Sequence, residues 1–177
     1  MTIVPTIVPT IVPTINGALR KLPAWLIYVV AALWVVWAFY LAATGQTGPE
    51  PINTLERAYG AMGLKFLIAG LLVTPLRNLT GINLIKFRRA IGVTTFFLIV
   101  AHLMVWALLD VQSFSRVWSD IVKRKYVTVG MAAFVLMVPL AITSNNLSIR
   151  KMGPLVWRKL HKLVYPAAVL GGVHYLW

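Results

Sequence analysis

Cysteine is absent from the 177-residue sequence. Its absence excludes disulfides, thiolate catalysis, Cys-ligated iron–sulfur clusters and covalent haem attachment through a C-x-x-C-H motif. Any haem held by this chain is therefore non-covalent, a b-type group. Acidic residues are scarce as well: four Asp and Glu stand against 17 Lys and Arg, for a formal charge of +13. Charge of either sign makes up only 12% of the chain and apolar residues 59%, well above the roughly 45–50% of soluble domains. A basic excess can mark a nucleic-acid binder, but only as a basic face on a soluble domain. Here the basic residues lie between apolar runs, as in the loops of a membrane protein.

The chain reads as a low-complexity tail, residues 1–19, followed by one transmembrane domain, residues 20–177. The tail repeats TIVP three times and ends at Thr14. Proline at every fourth position removes backbone donors, which predicts an extended segment. It lacks the charged start of a signal peptide. Five apolar runs follow: Trp25 to Thr44, Ala58 to Leu76 (interrupted by Lys65), Ala90 to Leu109, Tyr126 to Thr143, and Leu163 to Trp177. About 20 residues of helix cross a hydrocarbon core about 30 Å thick. Backbone groups in lipid must pair internally, so the runs are expected to be helices and the fold an all-α, polytopic bundle of five spans.

Loop charge orients the bundle. With the N-terminus cytoplasmic, the inner loops hold Arg20, Lys21, Arg77, Lys86, Arg88, Arg89, Arg150, Lys151, Arg158, Lys159 and Lys162. The outer loops hold only Arg57, Arg116, Lys123, Arg124 and Lys125, together with all four acids. The positive-inside rule favours this orientation, against the pull of the Lys123–Lys125 cluster.

The three histidines lie in or beside apolar runs, where an ionisable side chain suggests function. His102 follows Arg89 by 13 residues and His174 follows Lys162 by 12, in helices running the same way. At about 1.5 Å per residue both rise about 18–20 Å from their cytoplasmic ends. Two imidazoles at one level on neighbouring helices can bind one iron from both faces of a porphyrin. His161 falls about 20 Å lower, near the cytoplasmic surface, where a second haem has room. Thirteen steps of about 100° set His161 and His174 roughly 140° apart, unless Pro166 re-phases the helix. The third run offers Arg88 and Arg89 at the matching inner level, not a ligand, and Met152 is the remaining candidate there. The bland alternative for each histidine is an interhelical hydrogen bond or, for His161 beside Lys159 and Lys162, a loop position. Zinc is disfavoured, since three nitrogens split over about 20 Å cannot close a tetrahedral site.

Lys65, about 9 Å from the outer end of the second run, either snorkels to the interface or pairs with a haem propionate. Trp25, Trp118 and Trp157 suit interfacial belts, while Trp34, Trp37 and Trp106 suit packing or a cofactor lining. A transporter, one alternative, would use intramembrane charges, broken helices or internal repeats; no acid lies within a span and no repeat of the bundle is visible. A membrane enzyme with its own substrate site would need an acid/base or nucleophile set; no carboxylate pairs with a histidine, although a quinone-oxidising site stays open. A haem-free scaffold with structural histidines is the remaining alternative.

TPLRNLTG at 74–81, RRAIG at 88–92 leading to His102, and WRKLHKLVYPAAVLGGVHYLW at 157–177 together resemble the MsrQ/YedZ family, over roughly residues 20–177. The resemblance implies a ferric reductase-like membrane subunit that carries haem b on histidines matching His102, His161 and His174 and also binds FMN. It implies electrons taken from the quinone pool or a cytoplasmic flavin reductase. They would pass across the bacterial inner membrane to a periplasmic molybdopterin methionine sulfoxide reductase, MsrP, which repairs oxidised methionines. Members of the family usually have a sixth span, so a chain ending at Trp177 is expected to be a fragment or to come from a truncated reading frame.

Overall fold

The computed structural model describes residues 8–177, and no strand occurs among them. Helices α1 (Val8–Lys21), α2 (Leu26–Ala43), α3 (Pro51–Thr80) and α4 (Arg88–Met104) lead into a π-helical turn, Val105–Val111. They are followed by α5 (Phe114–Lys123), α6 (Lys125–Ile142), α7 (Asn146–Met152), α8 (Pro154–Leu160) and α9 (Val164–Leu176). Four helical segments are long and apolar enough to cross a membrane: Leu26–Ala43, Pro51–Thr80, Ile85–Val111 and Lys125–Ile142. The fifth apolar run forms α9, which at 13 residues is shorter than these four. Helix α2 leaves Val30, Leu33, Val36, Trp37 and Tyr40 exposed and buries only Ala42. A helix so apolar on its outer side needs lipid around it. The chain is a multi-pass helical membrane protein.

Two antiparallel pairs build the bundle, α3 with α4 and α6 with α9. Helices in lipid gain little from apolar burial and associate by close packing, which favours small residues at the contact. Helix α3 presents three glycines to α4. A Cβ on Gly63 would lie 2.5 Å from Ile99 Cδ1, one on Gly60 3.1 Å from His102 Nδ1, and one on Gly70 3.4 Å from Ile91 Cγ2. Gly81 ends α3 in the left-handed region at φ 77°, its N–H donating to the Arg77 carbonyl, a conformation glycine adopts without steric cost. Helix α2 joins through a cluster of Ala42, Leu55, Tyr59 and Val105, with Trp34 against the Tyr59 ring. The Tyr59 hydroxyl donates to the Val35 carbonyl at 2.7 Å.

Three features differ from the sequence expectations. The proline repeat predicts an extended tail, yet its C-terminal part is helical from Val8; its first seven residues lie outside the described residues. Pro9 falls in the first turn, where an amide hydrogen has no intrahelical partner, so only Pro13 forfeits a helical bond. Docking on the α3–α4 loop stabilises α1 in return. Asn16 donates to the Gly81 carbonyl at 3.0 Å and accepts from the Asn83 N–H at 2.8 Å. Lys86 Nζ donates to the Arg20 and Leu22 carbonyls, each at 2.8 Å, at the negative end of the α1 dipole. Second, the loop after α4, for which the apolar runs predict no element, contains the helix α5. Third, His161 and His174 do not share one continuous α-helix: a 3-10 turn over His161–Leu163 separates α8 from α9.

Candidate functional site

A cavity of about 1020 Å³ opens between the two helix pairs, and His102 and His174 both line it. Their ring centroids are 6.2 Å apart and the planes are inclined at 72°. His102 belongs to α4 and lies against Gly60 of α3, its Nδ1 2.9 Å from the Glu56 carbonyl oxygen. His174 belongs to α9 and lies against Gly130 of α6, its Nδ1 2.7 Å from the Tyr126 carbonyl oxygen. The two arrangements are the same motif. In each, an imidazole crosses a glycine on the paired helix and reaches the carbonyl four residues before that glycine. A Cβ at Gly130 would sit 2.8 Å from His174 Cε1 and Nδ1, so only glycine admits the ring there.

These contacts fix the tautomers. A carbonyl oxygen only accepts, so each Nδ1 carries the hydrogen and donates it. In a neutral imidazole Nε2 then keeps its lone pair, and no Nε2 partner occurs among the described residues. Metal-binding histidines characteristically donate their second ring N–H to such an acceptor, which sets ring orientation and raises ligand basicity. Two metal–imidazole bonds of about 2.0–2.1 Å each, with the radii of two five-membered rings, span about 6 Å between ring centres. The 6.2 Å separation suits one ion held from both sides. Among the described residues no cluster of three or more His, Cys, Asp or Glu side chains converges on one point.

His161 stands apart from this pair. Its Nε2 is 3.0 Å from Thr143 Oγ1, and that hydroxyl donates to the Pro139 carbonyl at 2.6 Å. Thr143 is left to accept, so His161 donates from Nε2. The ring stacks on Trp157 at 3.8 Å, and Trp157 Nε1 donates to the Thr143 carbonyl at 2.8 Å. Burial first, and then the charge of Arg88, hold the His161 imidazole below the ordinary histidine value. The group ties α8 to the end of α6. Lys65 is exposed and does not line the cavity; its position fits the snorkelling alternative and not contact with a cofactor in this cavity. The reason is helical phase, since Ala61 and Leu64 occupy the inward face of α3 at that level.

The charged groups that do line the cavity were not singled out by sequence. They are Glu56, Arg57, Asp110 and Arg124, with Arg124 Nε 3.3 Å from Asp120 Oδ1. Trp106, expected to pack or line a cofactor, is buried and lines the cavity. The one available signal was spacing: Glu56–Gly60 and Tyr126–Gly130 repeat the same four-residue interval.

A helical membrane bundle with an opposed histidine pair defines the class: a transmembrane protein able to hold a metal-centred cofactor within the membrane. Comparison with known proteins agrees. Residues 57–172 match the family described as "Ferric reductase like transmembrane component". The "Protein-methionine-sulfoxide reductase heme-binding subunit MsrQ" proteins of Brucella ovis, Brucella abortus and Brucella melitensis are each 48% identical over 153 residues. That alignment covers 86% of this chain and 69% of each relative. The chain belongs to the ferric reductase-like transmembrane family, and within it to the MsrQ group. No solved structure matches it.

Proposed function

We propose that this chain is the haem b-carrying membrane subunit of a methionine sulfoxide reductase system, with His102 and His174 as the residues that would hold the haem iron. The opposed, Nδ1-anchored histidine pair carries this reading. The relatives' name, which includes haem binding and a methionine sulfoxide reductase, supports it. So does the fit of the site: two rings that donate from Nδ1 and have Nε2 without a partner among the described residues, glycines where the rings meet the neighbouring helices, and a cavity of about 1020 Å³. Arg57 and Arg124 at the cavity are suited to the two propionates.

The bound haem supplies a one-electron carrier. The protein's own residues hold the ligand nitrogens in place and set the surroundings. The Glu56 and Tyr126 carbonyls hold a hydrogen on each Nδ1, which leaves the Nε2 lone pair of a neutral ring for the ligand bond and raises its basicity. Leu67, Ile99, Trp106, Phe134 and Met137 provide an apolar wall that limits water and lowers the local dielectric, and so tunes the potential. In this reading His161 is a structural group at the inner surface, and no second haem is invoked.

The N-terminus and the 77–89 and 145–162 loops face the cytoplasm of a bacterial inner membrane, by loop charge. Electrons enter from the quinone pool or a cytoplasmic flavin reductase, with FMN as the further cofactor the resemblance implies. They leave at the outer side to a periplasmic, MsrP-like molybdopterin subunit. The test is anaerobic stopped-flow mixing of the dithionite-reduced protein with that subunit plus methionine sulfoxide. Reoxidation of a b-type spectrum at a rate dependent on the subunit's concentration is the expected result. A reduced spectrum unaffected by the subunit would overturn the assigned partner.

A further inference from the structure

Helix α5 has no buried residue, and its exposed side is divided by chemistry. Phe114, Trp118 and Val122 recur at intervals of four along one edge and are 96%, 69% and 65% exposed. Val117 and Ile121, half-buried, continue that apolar sector toward the bundle, where α5 packs on α6 and the π-helical turn. At about 100° per residue, Ser115, Arg116, Ser119 and Lys123 fall on the opposite arc. Each turn of the helix is thus apolar on one side and polar on the other.

The connections fix where this helix lies. Gln112, in the left-handed region at φ 55°, breaks the path of the Ile85–Val111 span, and only Ser113 separates it from α5. At the other end Arg124 alone separates α5 from the span Lys125–Ile142. A helix of 10 residues is about 15 Å long, too short to cross a bilayer. Tied at both ends to spans, it is confined to the membrane surface at the histidine-pair end of the bundle.

We propose that the Phe114–Trp118–Val122 edge is a lipid contact, embedding α5 in the headgroup–acyl boundary with Arg116, Lys123 and Lys125 on lipid phosphates. An apolar face bearing Trp and Phe with a basic opposite face is the pattern of helices that lie in that boundary. The assignment also accounts for Lys123 and Lys125, two of the three charges in the cluster that opposes the inferred orientation: they lie at the end of a surface helix, where they neutralise anionic headgroups. Asp120 on α5 holds Arg124 at 3.3 Å, and Arg124 lines the cavity. Lipid seating of α5 thereby positions a cation beside the histidine pair.

The cysteine-free chain allows a direct test. Single cysteines at Phe114, Trp118, Val122, Arg116 and Lys123 are labelled with an environment-sensitive fluorophore in the 177-residue chain. The labelled proteins are reconstituted into phosphatidylethanolamine–phosphatidylglycerol bilayers with a doxyl quencher on the upper acyl chain. Labels at 114, 118 and 122 are expected to emit further to the blue and to be quenched several-fold more than labels at 116 and 123. Phe114 has almost no contact to lose, so Phe114→Cys decides the matter if another variant fails to elute as a single species. Equal, water-like emission at 114 and at 116 would overturn the proposal and leave the edge as a surface for a protein partner.

Discussion

Gly130→Ala is the substitution that most sharply tests how His174 is held. The added methyl carbon would lie 2.8 Å from both Cε1 and Nδ1 of His174 and 3.1 Å from Cγ. The ring cannot yield by simple rotation, because Nδ1 is held at 2.7 Å from the Tyr126 carbonyl. Overpacking a filled site costs about 1–3 kcal/mol, and the displaced ring forfeits a hydrogen bond worth about 1 kcal/mol net. The helical preference for alanine over glycine returns about 1 kcal/mol. The balance is about 1–3 kcal/mol against the seated ring, equivalent to a 5–150-fold loss of cofactor affinity. Gly60→Ala is milder, since its nearest contact with His102 is 3.1 Å, and Gly92→Ala meets nothing within 4 Å. Haem occupancy and the low-spin EPR signal of the purified variants should fall in the order Gly92→Ala, Gly60→Ala, Gly130→Ala, the first matching the parent. A Gly130→Ala protein indistinguishable from Gly92→Ala would refute the idea that the glycine seats the ligand.

Two further predictions concern charge. Lys65→Met should leave both the spectrum and the midpoint potential unchanged, because Lys65 is exposed and off the cavity. Arg57→Gln or Arg124→Gln should lower the potential, since each removes a positive charge that favours the reduced state; potentiometric titration of the three variants checks this, and a shift confined to Lys65→Met would reverse the assignment. A cysteine placed at Gln46 should react with an impermeant reagent in intact spheroplasts and one at Asn78 should not. The opposite pattern inverts the topology.

Much of the bundle was legible in the sequence because hydropathy reports what the membrane requires. The five apolar runs became α2, α3, α4, α6 and α9, and counting residues from the basic starts of their helices put His102 and His174 at one depth. Depth follows from rise per residue alone. Facing does not: lipid is as apolar as a helix interface, so hydropathy says little about which side of α3 turns inward. That is why Lys65 was a candidate while Arg57 and the Gly60 and Gly130 seats passed unnoticed. The phase of His161 relative to His174 was not legible either, because a 3-10 turn over His161–Leu163 interrupts the α-helix that a count of about 100° per residue requires. The helix over Val8–Lys21 was hidden by its prolines, whose cost is offset by Asn16 and Lys86 contacts some 65 residues away in sequence. Helix α5 was readable in principle from its strict apolar and polar arcs, but the search for membrane-length runs passed over ten residues.

The most direct measurement is the low-spin haem signal in four proteins: His102→Ala, His174→Ala, the double variant and His161→Ala. In the proposed site each imidazole supplies one side, the ring centroids being 6.2 Å apart, so either single substitution already breaks it. Both single variants should lose the same signal or convert it to high spin, and the double variant should look like either one. His161→Ala should keep the signal, since that ring is engaged by Thr143 and Trp157. A low-spin signal that survives His102→Ala but disappears in His161→Ala would contradict the pairing.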